Sequence, residues 1–216
     1  LCDRRQRQMC IRDSSLSLLQ QQVNPHFLYN TLDNICALAE LDEKETLIQL
    51  VMNLSSFYRS SLSNGKMHIS IGQELEISRA YLEILQIRYF HKFDFTITCP
   101  EALKNYSCIK LLLQPILENS IYHGIKGLDR HGILHIEAED TGDCIRFTIS
   151  DNGRGFSKED YEKIWQQDAD HFGIKSIQQR ILLYYGPGYG LSMESPQTGG
   201  CITVITLPKQ EGLPCH

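Results

Sequence analysis

A chain of 216 residues, 42% of them apolar, is long enough for one or two domains with a sizeable core, which excludes a disordered tail, a collagen or a small disulfide knot. With 21 basic against 26 acidic side chains the formal charge is -5, so no direct contact with nucleic acid is expected. No apolar run reaches the ~18 residues that span a bilayer, and eight cysteines without a C-x-x-C pair point to small buried hydrophobes in a reducing cytosol rather than to disulfides or zinc.

Residues 1–14 carry neither a helical nor a strand period. Written back into codons, Arg4 to Asp13 match a common transposon-based sequencing adapter, so residues 1–14 are expected to be an adapter-derived artefact that precedes the gene fragment. From Ser15 to Ala39 apolar residues recur every three or four positions (Leu16, Leu19, Val23, Phe27, Leu28, Leu32, Ile35, Leu38), which predicts an amphipathic helix. Pro25 should kink it beside His26. After a turn at Asp42 to Lys44, a second helix is predicted over Glu45 to Leu62, with Leu47, Leu50, Val51, Leu54, Phe57 and Tyr58 on one face. Two helices joined so tightly are antiparallel neighbours whose apolar stripes need partners, and a homodimeric four-helix bundle completes them.

A third helix is predicted over Ile71 to Tyr89, then a strand over Phe93 to Cys99 and a helix over Ile109 to Tyr122. Alternation marks strands at Ile133 to Ala138 and Cys144 to Ser150 around a Thr141-Gly142-Asp143 turn. A helix over Phe172 to Tyr185 and strands at Leu191 to Glu194 and Cys201 to Leu207 close the chain. This order predicts an α+β sandwich, an antiparallel-rich sheet covered by helices.

Three constellations carry chemistry. In QQQVNPHFLYNTL, His26 stands one helical turn before Asn30, whose amide can accept one ring N–H and leave the other nitrogen free to attack. In isolation the pair reads better as a surface histidine and a buried polar asparagine. In LLLQPILENSIYHG, an apolar helix is interrupted by Glu118, Asn119 and His123, and an asparagine amide is a neutral Mg²⁺ ligand when phosphates supply the other oxygens. Asp151-Asn152-Gly153-Arg154-Gly155-Phe156 follows a strand, with glycines that admit close backbone approach and an aspartate able to accept from an exocyclic amine such as that of adenine. The third piece, His171-Phe172-Gly173-Ile174-Lys175, opens a helix whose backbone amides and Lys175 suit phosphate oxygens.

Taken together and in order, NPHFLYNTL, YLEILQIRYFHKF, LLLQPILENSIYHGI, DNGRGF, GIKSIQQRILLYYGPGYGL and GGCITVITLP resemble the LytS/YesM type of bacterial sensor histidine kinase, in its YesM-like branch, from about Leu19 to Pro208. The resemblance implies a helical dimerisation and phosphotransfer region at 15–69, an ATP-binding GHKL-type sandwich at 70–210 and a tail at 211–216. It makes His26 the phosphoacceptor oriented by Asn30, Asn119 the Mg²⁺ ligand and Asp151 the reader of adenine. Gly153, Gly155 and Gly173 become parts of the nucleotide loops, with His123 and Lys175 beside the ATP. It further implies a response-regulator receiver domain as partner, with an AraC-type DNA-binding output, and a membrane-anchored sensor region upstream that leaves this portion in the bacterial cytosol.

Three positions depart from the family pattern. His171 replaces the first glycine of a G-x-G turn, Tyr122 replaces a lysine beside His123, and Cys201 replaces a threonine that supports the adenine-reading aspartate; each removes a nucleotide contact or freedom. The alternatives are a non-catalytic nucleotide-binding scaffold, which His171 and Cys201 favour, and a GHKL-type ATPase. The ATPase needs a water-activating glutamate four residues before Asn119, where this chain has Pro115.

Overall fold

The computed structural model describes residues 25–62, 67–165 and 172–211. The first two elements are α1 (Pro25–Glu40) and α2 (Lys44–Ser61), joined by a turn in which Asp42 adopts φ 58° and the Glu43 N–H donates to the Leu38 carbonyl at 3.0 Å. The predicted stretch from Ser15 to Asn24, and with it the kink at Pro25 and the residues 1–14, lies outside the described residues. Contacts divide the chain into two units, Leu1–Gln49 and Leu50–His216, with the division inside α2. The reason lies in the second half of α2, where Leu50, Asn53, Phe57 and Ser61 are buried and the Phe57 ring stands 5.8 Å from that of Tyr81.

In the second unit a short strand β1 (His68–Ser70) leads into α3 (Ile71–Arg88). Ser70 caps α3 by accepting from the Gln73 N–H at 3.2 Å, while the Gln73 side chain accepts from the Ser70 N–H at 3.1 Å, a reciprocal box that fixes where the helix starts. Phe90 and His91, both at φ 52°, end it and turn the chain into β2 (Phe93–Thr98). Next come β3 (Ser107–Ile109), antiparallel to β1, then α4 (Gln114–Asn119), which continues as a π-wound turn at Ser120–Ile125. The hairpin β4 (Gly132–Asp140) and β5 (Cys144–Asp151) follows, with Gly142 at φ 91° in its turn. The remaining elements are α5 (Lys158–Trp165), α6 (Phe172–Tyr185), β6 (Gly190–Glu194) and β7 (Cys201–Pro208).

The main sheet has the order β2-β4-β5-β7-β6, with β2 parallel to β4 and every other pair antiparallel. Its strands alternate as a half-covered sheet requires: on β4 Leu134, Ile136 and Ala138 are buried and His135 and Glu137 are exposed. On the apolar side α3 packs on β2 and α6 on β6 and β7, with α4 between the two helices. This is the expected α+β sandwich.

The predicted helix over Ile109 to Tyr122 is corrected. Ile109 ends β3, Leu111 takes φ 54°, and helix begins only at Gln114. The apolar run is buried in an irregular segment held from outside itself, as set out below. The cysteine expectation is also corrected. All five described thiols, Cys36, Cys99, Cys108, Cys144 and Cys201, are free, but only Cys108 and Cys201 are buried.

Candidate functional site

Three pieces of the second unit meet at one cleft. The end of α4 and its π turn contribute Asn119, Ser120, His123 and Gly124; the end of β5 and the loop after it contribute Asp151, Arg154, Gly155 and Phe156; Asp160 and Ile164 of α5 and Cys201 of β7 complete the wall. The π winding, in which Lys126 N–H reaches back to the Ile121 carbonyl at 2.8 Å, inserts one extra residue in the turn that carries His123.

Asp151 is the polar centre. Its Oδ1 accepts from the Gly153 N–H at 2.9 Å and from the Cys201 N–H at 3.3 Å, which fixes the plane of the carboxylate. Its Oδ2 is buried and has no hydrogen-bond partner. A buried acceptor left unpaired is costly unless a ligand pairs it. Burial raises the Asp151 pKa above the ordinary carboxylate range, against the Ser120 hydroxyl and the two N–H groups, which favour the charged form. The close approach depends on glycine. A Cβ on Gly153 would lie 2.6 Å from Asp151 Oδ1 and 2.7 Å from the Gly124 Cα. The loop beyond is pinned by Ser195, whose hydroxyl accepts from the Phe156 N–H at 3.1 Å and donates to the Gly200 carbonyl at 2.9 Å.

The Asn119 helix is seated by groups that are distant in sequence. Glu74, fully buried on α3, accepts from the N–H groups of Leu111 at 2.8 Å and Leu113 at 2.9 Å. Arg180 on α6 donates to the carbonyls of Leu111, at 3.2 Å, and Lys110. Burial raises the Glu74 pKa, opposed by those N–H groups and by the Arg180 charge. Glu118, beside Asn119, faces away from the cleft: its Oε1 accepts from Tyr81 and Gln114, each at 3.2 Å.

Of the residues singled out in the sequence, Asn119, His123, Asp151 and Gly155 line the cleft, and Gly153 lies directly against Asp151. Gly173 and Lys175 do not line it; Gly173 sits where a Cβ would be 3.0 Å from Pro115 Cβ, at the first turn of α4. His171 lies outside the described residues. His26 is exposed on α1, in the first unit, and the Asn30 amide nitrogen one turn on is buried without a hydrogen-bond partner. Cys201 supports Asp151 through its backbone N–H; its thiol instead faces the Thr203 hydroxyl at 3.6 Å, and burial pushes that thiol up to about 11. Sequence reasoning missed Glu74, Arg180, Gly124 and Ser195. None of the four carried a local signal; Glu74 stands between Gln73 and Glu76 like any polar residue of a helix surface.

No cluster of three or more His, Cys, Asp or Glu side chains suited to a metal occurs among the described residues. The donor set therefore fits Mg²⁺ only where a bound phosphate supplies most of the oxygens and Asn119 one neutral amide oxygen.

Residues 14–93 match the family described as Histidine kinase, and residues 106–211 the family described as Histidine kinase-, DNA gyrase B-, and HSP90-like ATPase. Sensor histidine kinase YesM of Bacillus subtilis (strain 168) is 32% identical over 203 residues, 94% of this chain and 35% of that protein. Sensor histidine kinase BtsS of Escherichia coli (strain K12) is 33% identical over 183 residues, 85% and 31% of the two chains, and Sensor protein LytS of Staphylococcus haemolyticus (strain JCSC1435) is 28% identical over 199 residues, 89% and 34%. The chain thus spans about a third of the length of these curated relatives. Among solved structures, the catalytic domain of histidine kinase ThkA is similar with a TM-score of 0.52 at 16% identity, over 67% of this chain and 97% of that one. ThkA in complex with response regulator protein TrrA gives 0.51 at 16% identity, over 96% and 64%. At these identities the two structures speak for the fold alone.

Proposed function

The chain belongs to the LytS/YesM type of sensor histidine kinase, and on that premise we propose that it takes the γ-phosphoryl group of ATP onto His26 and passes it to an aspartate of a response-regulator receiver domain. The observation that carries the reading is Asp151 Oδ2, a buried acceptor without a partner in a cleft shared with Asn119 and His123. The exocyclic amine of adenine is the donor it lacks. Because Oδ1 is already held by two backbone N–H groups, the carboxylate meets the base without rotating. Asn119 gives an amide oxygen toward Mg²⁺, which when bound offsets the charge on the phosphates.

In the transfer itself a ring nitrogen of His26 gives its lone pair to the γ-phosphorus, the bond from that phosphorus to the bridging oxygen breaks, and ADP leaves with the electron pair. The product is a phosphoramidate. Hydrolysis instead of transfer is disfavoured by the helix that leads to Asn119: Pro115 offers no base, and Glu118 is engaged by Tyr81 and Gln114.

The helical region supports the homodimer. α1 and α2 leave Tyr29, Leu32, Ile48, Val51 and Met52 exposed, a load of apolar surface that a second copy covers. The AraC-type output of the receiver's protein and an upstream membrane anchor, with this portion in the cytosol, extend the same family reading. Among the described residues no helix is long and apolar enough to cross a membrane.

Incubation with γ-³²P-ATP and Mg²⁺ tests the proposal. Label that survives alkali, is lost in acid and disappears in His26→Gln and Asn119→Asp supports it. Alkali-stable label retained by His26→Gln would place the phosphoryl group elsewhere.

A further inference from the structure

Two cations meet at Tyr122, in the turn that lines the cleft but outside the cleft itself. Arg88, the last residue of α3, donates from Nη1 to the Tyr122 hydroxyl at 3.0 Å, with its guanidinium carbon 5.4 Å from the Tyr89 ring centroid and 5.9 Å from that of Tyr122. Lys126 Nζ lies 5.8 and 5.7 Å from the same two centroids. The rings meet edge to face, 6.2 Å apart. Among the described residues neither cation has a carboxylate partner.

Aromatic faces hold a cation in place without cancelling its charge. Two positive groups on one pair of rings repel each other, so a purely structural contact would be better made by one of them. The arrangement is suited to an anion. Gly124 abuts Asp151, and Tyr122 follows Asn119 by three residues, a spacing that brings two helical side chains to neighbouring positions, so a nucleotide with its base on Asp151 carries phosphates at Asn119 to the side of the helix nearest Tyr122.

We propose that Arg88, steadied by the Tyr122 hydroxyl and joined by Lys126, binds the terminal phosphate of the nucleotide. The inference rests on the ATP reading above and adds to it a phosphate-binding residue from α3. Arg88 brings to Tyr122 the positive charge that this side chain lacks. The planar guanidinium has further N–H groups beyond the one given to Tyr122, enough to meet phosphate oxygens in a charge-assisted pair.

Calorimetric titration of the full chain with ADP and with ATP, both with Mg²⁺, tests it. Arg88→Gln should weaken ATP about tenfold or more, the scale of one lost charge-assisted hydrogen bond, and leave ADP within about threefold. Tyr122→Phe, which keeps the ring and loses the hydroxyl, should move ATP in the same direction by less. Equal weakening of ADP and ATP, with a lowered Tm, would make Arg88 a structural residue and overturn the proposal, as would unchanged ATP binding. If Arg88→Gln does not fold, the exposed Lys126→Gln decides, with selective loss of ATP as the supporting result and no selective loss as the overturning one. A wild-type chain that binds neither nucleotide would overturn the ATP reading itself, whereas binding of both without a selective variant effect overturns the Arg88 step alone.

Discussion

Glu74 and Arg180 grip one loop, the first by its N–H groups and the second by its carbonyls. The carboxylate of Glu74 takes the N–H groups of Leu111 and Leu113, and the guanidinium of Arg180 gives its N–H groups to the carbonyls of Lys110 and Leu111. Between them they satisfy backbone groups of a buried stretch that lies between β3 and α4 and in which Leu111 holds φ 54°. The loop leads directly into α4 and Asn119. Glu74→Ala should strand two buried donors at about 1 to 3 kcal/mol each, lowering stability by roughly 3 kcal/mol and weakening nucleotide binding because the seat of α4 loosens. Denaturant unfolding of the variant, beside nucleotide titration, checks both effects; a variant as stable as the parent would refute the clamp.

This loop also shows where the sequence was silent. α3 and α6 were legible to within a residue because the information that makes them helices is local, lying within their own residues. The strands of the sheet were legible through alternation. The run Ile109 to Leu113 reads as helix because it is apolar apart from Lys110, and the residues that hold it out of helix sit on two other elements. The same holds in the site. Asn119 and Asp151 could be found from residue type and order, but Cys201 acts through a backbone N–H that any residue supplies, so its departure from the family's threonine costs less than its side chain suggests.

Asp151→Asn separates stability from function. Oδ1 is held by two donors, so in the variant the amide oxygen keeps that place and the NH₂ group takes the place of Oδ2, donor against the donating amine of adenine. Nucleotide affinity should fall about a hundredfold, the scale of an unpaired buried polar contact. Stability should not fall with it. The Asp151 pKa is raised in the folded chain, so its contribution to stability is present below the ordinary carboxylate range and is lost as pH rises through the raised value. The variant lacks that loss. Its stability relative to the parent should therefore grow from pH 4 toward pH 7 in denaturant titrations, and a gap that shrinks over this window would contradict the assignment.

Gly153→Ala should be far more damaging than alanine at another glycine of the same unit. Its Cβ would fall 2.7 Å from the Gly124 Cα and 2.6 Å from Asp151 Oδ1, so backbone or carboxylate must move, at about 1 to 3 kcal/mol. Gly127, with nothing within 4 Å of a Cβ, is the control and should change stability by less than about 0.5 kcal/mol. Thermal unfolding and nucleotide titration of the pair would settle it, and equal behaviour of the two variants would show that the close approach at Asp151 does not matter.

The proposed homodimer places its demand on α2, where Ile48 and Met52, one turn apart, are 48% and 62% exposed. A two-fold interface counts each substitution twice. Met52→Glu should shift the chain toward monomer at micromolar concentration in light scattering while Leu50 and Phe57, buried in the second unit, keep that unit folded. A dimer of unchanged strength would move the interface off this face.

The phosphoryl group proposed on His26 has one further use to be tested. A phosphoramidate transfers readily to a carboxylate: the aspartate oxygen attacks phosphorus, the nitrogen–phosphorus bond breaks and the imidazole leaves with the pair, so no further reactant is needed. His26 is exposed on α1 rather than sealed in a core, which suits donation to a second protein. The receiver domain encoded beside the gene is therefore the first acceptor to try. Mixing it with the ³²P-labelled chain should move the label to the receiver within seconds to minutes, and the moved label should become alkali-labile, as an acyl phosphate is. Substituting the acceptor aspartate by asparagine should leave the label on His26. Stable phosphohistidine beside every receiver of the same genome would leave the kinase without its proposed partner and end this reading.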